Sequence, residues 1–200
     1  MNELDRIYDI SGESESFASA YLSYLGQVLS NIDVKDISKF IELLLSAREK
    51  SNQIIFLGNG GSAATASHFA NDIGIGTQTL DKPFRAISIT DNMPVITAIA
   101  NDEGYDQIFI QQLKVIMHPG DVVVAISASG NSRNIISAIE YANKNGAQTV
   151  GLTAFDGGEL KKAAQYSVHV PTNQKEYGPA EDAHMILDHL VSAYLIRFIG

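Results

Sequence analysis

Two short loops rich in glycine and serine, each between an apolar run and a helical pattern, constrain this chain more than any other feature. They are residues 58–62, Gly-Asn-Gly-Gly-Ser, and residues 127–132, Ser-Ala-Ser-Gly-Asn-Ser. A strand that leads into a helix through such a loop leaves backbone N–H groups unpaired at the positive end of the helix dipole. Serine hydroxyls add short donors that suit phosphate oxygens. Because this chemistry occurs twice, we expect both loops to hold one phosphate group.

The first loop does not match the common nucleotide fingerprints. It lacks the Lys-Ser/Thr ending of a Walker loop, and its glycines are not spaced as Gly-x-Gly-x-x-Gly. Taken alone, either loop could also be an ordinary strand-to-helix turn capped by serine. A phosphorylated small molecule therefore fits the pair of loops better than ATP or NAD.

Composition excludes several classes of protein. The chain has 200 residues, 45% of them hydrophobic, which is enough for one core, and we expect a single domain over residues 1–200 with a helical extension at about 1–50. A net charge of -9 without a basic cluster argues against nucleic-acid partners and anionic membranes. The absence of cysteine excludes disulfides and thiolate chemistry, and no apolar run is long enough to cross a bilayer. We expect a cytoplasmic protein.

The order of the elements predicts an α/β fold with a five-stranded parallel sheet. Two helices, at about 14–31 and 35–50, are expected before the first strand. Val/Ile-rich runs separated by helical patterns indicate a parallel sheet covered on both faces; they lie at about 53–57, 85–89, 121–126, 148–152 and 166–170. A last helix at about 180–199 is apolar around much of its circumference, so we expect it to form a subunit interface with the N-terminal pair.

Several further motifs accompany the two loops: His68-Phe69, Ile99-Ala100-Asn101-Asp102, Gly104-Tyr105, and Glu181-Asp182-x-His184 ending at His189. With these motifs the chain resembles the phosphoheptose isomerases of the sugar isomerase (SIS) fold, from about residue 15 to the end. The resemblance implies a flavodoxin-like fold and a homotetramer with sites at subunit interfaces. It also implies conversion of a ketose phosphate, sedoheptulose 7-phosphate, to an aldose phosphate through an enediol, often with zinc in the site.

The resemblance assigns roles to particular residues. Asn59 and Asp91 would contact the sugar hydroxyls, Asp72 and His189 would carry the proton transfers, and Glu181 would contact substrate. The phosphate would be bound by Gly60, Gly61, Ser62, Ser127, Ser129 and Ser132. Zinc or another divalent metal would be held by His68, Asp72, Glu181 and His189.

Helical spacing is compatible with these assignments. His68 and Asp72 are four residues apart and share one helix face. Glu181 and His189 are eight apart, or roughly 80° around the axis at ~100° per residue, so both can face one cleft. His184 would point about 140° away from His189, which suggests a place beside the site or in an interface.

The sequence also departs from the family pattern within the site. Asp72 and Glu181 stand where these isomerases usually carry glutamate and glutamine, Gly76 replaces an arginine, and Ala128 replaces a threonine. Two other functions therefore stay open. The chain could be a non-catalytic SIS protein that binds a sugar phosphate or a regulatory partner protein, or an isomerase for another ketose phosphate.

Overall fold

Five parallel strands form the centre of the molecule, in the spatial order β2-β1-β3-β4-β5. The computed structural model describes residues 2–79 and 81–199. The strands are β1 Gln53–Gly58, β2 Arg85–Ser88, β3 Val122–Ser127, β4 Gln148–Thr153 and β5 Tyr166–His169. This is the flavodoxin-like order, and it confirms the predicted α/β class with its five-stranded parallel sheet.

Helices cover both faces of this sheet. They are α1 Glu3–Ser11, α2 Ser14–Ser30, α3 Val34–Glu49, α4 Gly61–Asn71, α5 Met93–Asp102, α6 Ile108–Ile116, α7 Arg133–Lys144, α8 Gly158–Ala163 and α9 Tyr177–Ile199. A π-helical turn, Asp72–Gly76, extends α4, and a 3-10 turn, Tyr105–Gln107, precedes α6.

Alternation along the strands divides the core into two parts. Ile54 and Phe56 of β1 pack on one face with residues of α2, α3, α4 and α9. Ile55 and Leu57 face the other side and pack with residues of α6, α7 and α8. Successive strand side chains point to opposite faces, so a strand covered on both sides is apolar along nearly its whole length, as β1 and β3 are.

The strand order reverses between β1 and β3, and this reversal positions the site. β1 pairs with β2 on one side and with β3 on the other, and Gly58 lies opposite Ile126 in the register. The loops that follow β1 and β3 therefore leave the same edge of the sheet side by side. Ligands of open parallel sheets bind at such a switch point.

The N-terminal region contains three helices, so the prediction of two was wrong. The missed helix, α1, begins with a capping box in which the Asn2 side chain accepts from the Asp5 backbone and Asp5 reaches back to Asn2. α1 packs on α2. The capping residues could have indicated a helix start, but a helix of nine residues has too little apolar periodicity to be predicted from its pattern.

The Glu176 carboxylate ties this N-terminal region to the segment before α9. It is fully buried and accepts hydrogen bonds from Glu3 N (2.5 Å), Tyr24 Oη (2.5 Å) and Asn173 N (2.9 Å). Burial alone would raise the pKa of Glu176, but these bonds together hold it below its usual value. The carboxylate therefore stays charged inside the protein and fixes the segment that leads into Tyr177.

Helix α9 has a buried face and an exposed apolar face. Ala183, Leu187, Val191 and Leu195 recur every four residues and are buried against the sheet. Five large apolar side chains of α9 stay exposed: Tyr177 at its start, and Leu190, Tyr194, Ile196 and Phe198 in its second half. Within the described residues, no helix is both long and apolar enough to cross a membrane.

His184 belongs to the buried face of α9. It is completely buried, and its Nε2 donates to the Thr153 carbonyl at 3.4 Å. Full burial within the chain argues against the expected place in an interface. The other expectation, a place beside the site, stays a prediction; Thr153 lies opposite the cleft serine Ser127 in the sheet register. Burial lowers the pKa of His184 to about 4.

We predict that His184 makes the protein sensitive to acid. The unfolded chain binds the proton near pH 6.5 and the folded protein only near pH 4, so the free energy of unfolding falls as the pH drops through this window. His184 can lower the free energy of unfolding by at most roughly 1.4 kcal/mol for each pH unit. Urea denaturation at several pH values should show that the free energy of unfolding falls less steeply with pH in His184→Gln than in the unmutated protein. The exposed His118→Gln is the control; equal slopes for His184→Gln and the unmutated protein would contradict the prediction.

Candidate active site

The two glycine- and serine-rich loops meet in one cleft of about 150 Å³ at the edge of the sheet. The loop after β1 contributes from one side and the loop after β3 from the other. The cleft is lined by Asn59, Ser62, Ile126, Ser127, Ala128, Ser129, Ser132, Tyr177 and Glu181. The structure thus brings together all four serines that the sequence indicated for phosphate binding.

Glycine is required in the first loop because other parts of the chain approach it closely. A Cβ atom at Gly58 would overlap the backbone of Ser62, and one at Gly61 would overlap the Glu181 carboxylate. The missing side chains allow the beginning of α4 to pack directly against the beginning of α9. Gly60 is the N-cap of α4 and Gly61 its first residue, so both lie at the cleft end of this helix, although neither is among the residues that line the cleft.

The beginnings of α4 and α7 both face the cleft with uncapped ends. Neither N-cap residue, Gly60 of α4 or Ser132 of α7, makes a side-chain capping bond. The Oγ atoms of Ser127 and Ser129 accept from Gly130 N (3.1 Å) and Asn131 N (3.3 Å), so each hydroxyl keeps its proton to donate. Backbone N–H groups, two helix dipoles and serine hydroxyls therefore converge on the position of one anion.

Asn59 and Asp91 occupy different positions relative to this cleft. Asn59 lines it, exchanges hydrogen bonds of 2.9 Å with the buried Asn134, and accepts another from Tyr105 Oη at 2.9 Å. Asp91 follows β2, outside the cleft lining, and accepts from Ser67 Oγ. The sequence interpretation missed Asn134 and gave Tyr105, part of the Gly104-Tyr105 motif, no role; both hold the Asn59 amide in place.

A second group of polar side chains lies farther along α4 and α9. His68 and Asp72 come from α4 and its π-helical extension, and Asp188 and His189 come from α9. His68 Nε2 lies 3.3 Å from His189 Nε2, 3.5 Å from Asp72 Oδ2 and 4.0 Å from Asp188 Oδ2. One ligand atom of each residue lies within 4.8 Å of the other three. We call these four residues the His/Asp cluster.

Glu181, predicted as the fourth metal ligand, is not part of the His/Asp cluster. It lies eight residues before His189, roughly 12 Å along the axis of α9. There its carboxylate packs against Gly61 and lines the cleft. Burial, assisted by Asp182, raises the pKa of Glu181. Within the described residues of one chain, Asp188 rather than Glu181 therefore lies with His68, Asp72 and His189. The position of Glu181 beside the glycine- and serine-rich loops is compatible with its other predicted role, contact with substrate.

Asp188 was missed because it lies inside an apolar run. Its side chain is fully buried, and within residues 2–79 and 81–199 neither carboxylate oxygen has a hydrogen-bond partner. Burial, followed by the nearby Asp72 charge, raises the pKa of Asp188 to about 7. The sequence could have pointed to Asp188, since it is the only acidic residue after Asp182 and lies within an apolar run.

The donors of the His/Asp cluster fit a divalent metal. Two imidazoles and two carboxylates are ligand types that zinc accepts. Zinc ligands of this kind lie about 2.0–2.2 Å from the metal, so the donor atoms of a tetrahedral site lie roughly 3.3–3.6 Å apart. The separations of 3.3, 3.5 and 4.0 Å around His68 Nε2 are close to that range.

Comparison with known proteins relates the sequence and the fold of this chain to one family. The SIS domain family model matches residues 19–154. The chain is 37% identical to the phosphoheptose isomerase of Akkermansia muciniphila, over 82% of this chain and 86% of that protein. It is 36% identical to the probable phosphoheptose isomerase of Thermoplasma acidophilum, over 89% of this chain and 97% of that protein. The structure of phosphoheptose isomerase from Neisseria gonorrhoeae is similar, with a TM-score of 0.82 and 28% identity over 92% of this chain and 98% of that one.

We predict that Ser129→Ala weakens the binding of a phosphorylated sugar by about 1–2 kcal/mol, the scale of a hydrogen bond to a charged group. The fold should be unaffected, because Ser129 is only partly buried at the edge of the cleft. Isothermal titration calorimetry measures the loss, and Ser38→Ala on the exposed side of α3 serves as the control. Unchanged affinity in Ser129→Ala would remove this serine from the phosphate site.

Proposed function

Since the chain belongs to the phosphoheptose isomerase family of SIS-domain proteins, we propose that it interconverts sedoheptulose 7-phosphate and a heptose 7-phosphate. It is an aldose–ketose isomerase. The observation that carries the proposal is the arrangement along α4, which begins at the phosphate cleft and brings His68 and Asp72 to α9 farther along. One helix thus joins an anion site to acid–base groups.

The spacing along α4 suits a substrate with phosphate at one end and carbonyl at the other. Ser62 and His68 are six residues apart, roughly 9 Å along the helix axis. With the phosphate bound at Ser62, Ser127, Ser129 and Ser132, an extended sugar chain would lie along α4 toward the His/Asp cluster. Asn59 would contact hydroxyls near the phosphate end. Asp91, at the end of β2, would need a substrate that reaches beyond the cleft.

The proton transfers fall to Asp72 and His189. Isomerisation moves a carbonyl between adjacent carbons through an enediol. It needs one group that transfers the proton between the carbons and another that transfers protons to and from the two oxygens. Asp72 would take the proton from C1 of the ketose and return it to C2. His189 would protonate the C2 oxygen and accept the proton of the C1 hydroxyl, so that atoms and charge balance.

A divalent metal, zinc in the simplest case, would be held by His68, Asp72 and His189. When bound, such an ion polarises the carbonyl and stabilises the enediolate. His189 cannot be a tight metal ligand and a free base at once, because both roles use the same imidazole lone pair. The metal content of the purified protein therefore decides which role His189 plays.

We expect active sites shared between the subunits of a homotetramer. A cleft of about 150 Å³ is small beside the roughly 300–1,000 Å³ of typical ligand pockets, so a second chain would complete the sugar end. The exposed apolar residues of α9 supply a surface for that association. The single SIS domain over residues 1–200 and the cytoplasmic location also stay predictions.

We predict that Asp72→Asn abolishes isomerisation and leaves sugar-phosphate binding nearly intact, because the proposed base and the phosphate loops are separate parts of the site. Turnover of ketose phosphates of five to seven carbons, including sedoheptulose 7-phosphate, is measured beside calorimetric binding. The surface variant Asp36→Asn is the control. Full activity in Asp72→Asn would exclude Asp72 from the chemistry. No turnover by the unmutated protein, with binding retained, would favour the non-catalytic binding protein.

We predict that light scattering at micromolar concentration gives about four times the chain mass of 21.6 kDa. Tyr194→Glu should lower this mass, because it places a charge within the exposed apolar face of α9, where Tyr194 stacks on Phe198. A monomeric mass for the unmutated protein would contradict the tetramer and every site shared between subunits.

A further inference from the structure

Asp188 is a buried carboxylate that the proposed proton transfers do not use. Its side chain has no exposed surface, and both oxygens lack a hydrogen-bond partner within the described residues. An isolated buried carboxylate destabilises a protein strongly unless it is paired with a cation or with hydrogen-bond donors. Neither lysine nor arginine forms an ion pair with it in the part of the chain that the structure describes.

The surroundings of Asp188 indicate which cation would pair with it. Its Oδ2 lies 4.0 Å from His68 Nε2, and His68 Nε2 lies 3.3 Å from His189 Nε2. Two imidazole nitrogens therefore face each other beside two carboxyl groups, and one ligand atom of each of the four residues lies within 4.8 Å of the other three. A divalent ion among them would give Asp188 a partner and bring the charge of two carboxylates and the ion to zero.

We propose that Asp188 takes the place of Glu181 as the fourth protein ligand of a divalent metal held by His68, Asp72 and His189. This inference rests on the metal of the proposed function but concerns only which side chains hold it. Asp188 approaches from the buried side, whereas Asp72 and the imidazoles close the site from the solvent side. Glu181 is then free of the metal and stays at the cleft beside Gly61.

The assignment is tested by metal binding rather than by activity. Metal-free protein is prepared with a chelator and titrated with Co²⁺, whose visible spectrum reports ligand number, and Zn²⁺ affinity is obtained by competition. The unmutated protein should bind one ion per subunit. Asp188→Asn should bind Zn²⁺ at least tenfold more weakly and change the Co²⁺ spectrum, since even residues behind the ligands contribute about 10–100-fold to metal affinity. Glu181→Gln, the matched control, should change Zn²⁺ affinity less than twofold.

Thermal unfolding separates a metal ligand from a merely structural residue. Without metal, Asp188→Leu should melt at a higher temperature than the unmutated protein, because it replaces a buried carboxyl group without hydrogen-bond partners by an apolar side chain. Zn²⁺ should raise the melting temperature of the unmutated protein and have less effect on Asp188→Leu, because only the former has the complete ligand set. This measurement also shows whether substitution at Asp188 disturbs folding.

The metal-binding results test the role of Asp188, and the activity results test the proposed reaction, so the two can fail independently. Zn²⁺ affinity equal to that of the unmutated protein in Asp188→Asn, loss of affinity in Glu181→Gln alone, or no metal binding by the unmutated protein would overturn the role of Asp188. Failure of the protein to isomerise any ketose phosphate, together with metal binding that depends on Asp188, would refute the proposed function and leave this assignment standing.

Discussion

The parallel packing of α4 against α9 is the contact on which the rest of the site depends. Near the start of both helices, Gly61 lets the Glu181 carboxylate approach the backbone. Two turns farther along, the same contact brings His68 to 3.3 Å from His189. Because α9 is fixed to the sheet by its buried apolar face and α4 follows directly from β1, the two polar ends are held in register. A change in helix separation would disturb the anion cleft and the His/Asp cluster together.

The sequence predicted most of the fold because its signals are local and repeated. β1 and β3 are nearly continuous apolar runs, which predicts strands buried on both faces. The parallel order followed from the alternation of strand and helix patterns along the chain. The phosphate serines could be predicted too, since a glycine- and serine-rich loop at the end of a strand is a signal contained in a few consecutive residues. α1 could not be found by periodicity, because its anchor is the contact of Glu3 with Glu176, far away in the chain.

The metal ligands show where this kind of prediction fails. Glu181 and Asp188 are seven residues apart, which is nearly two full turns of a helix. Both therefore lie on the same face of α9, the face toward α4. Angle alone cannot say which of the two is level with His68. That depends on the shift of α9 along α4, which is set by the close approach at Gly61 and by side-chain packing on the sheet. Long-range packing, not local pattern, therefore decides the ligand set.

The hydrogen bonds of Glu176 have a consequence for how this protein can change over evolution. This carboxylate joins α1 and α2 to the segment that ends at Tyr177, one of the residues of the cleft wall. Substitutions in the first two helices can therefore shift that wall without altering any side chain that contacts a ligand. Substrate preference can then diverge between relatives whose clefts are identical in sequence, and alignment of cleft residues alone would not reveal it.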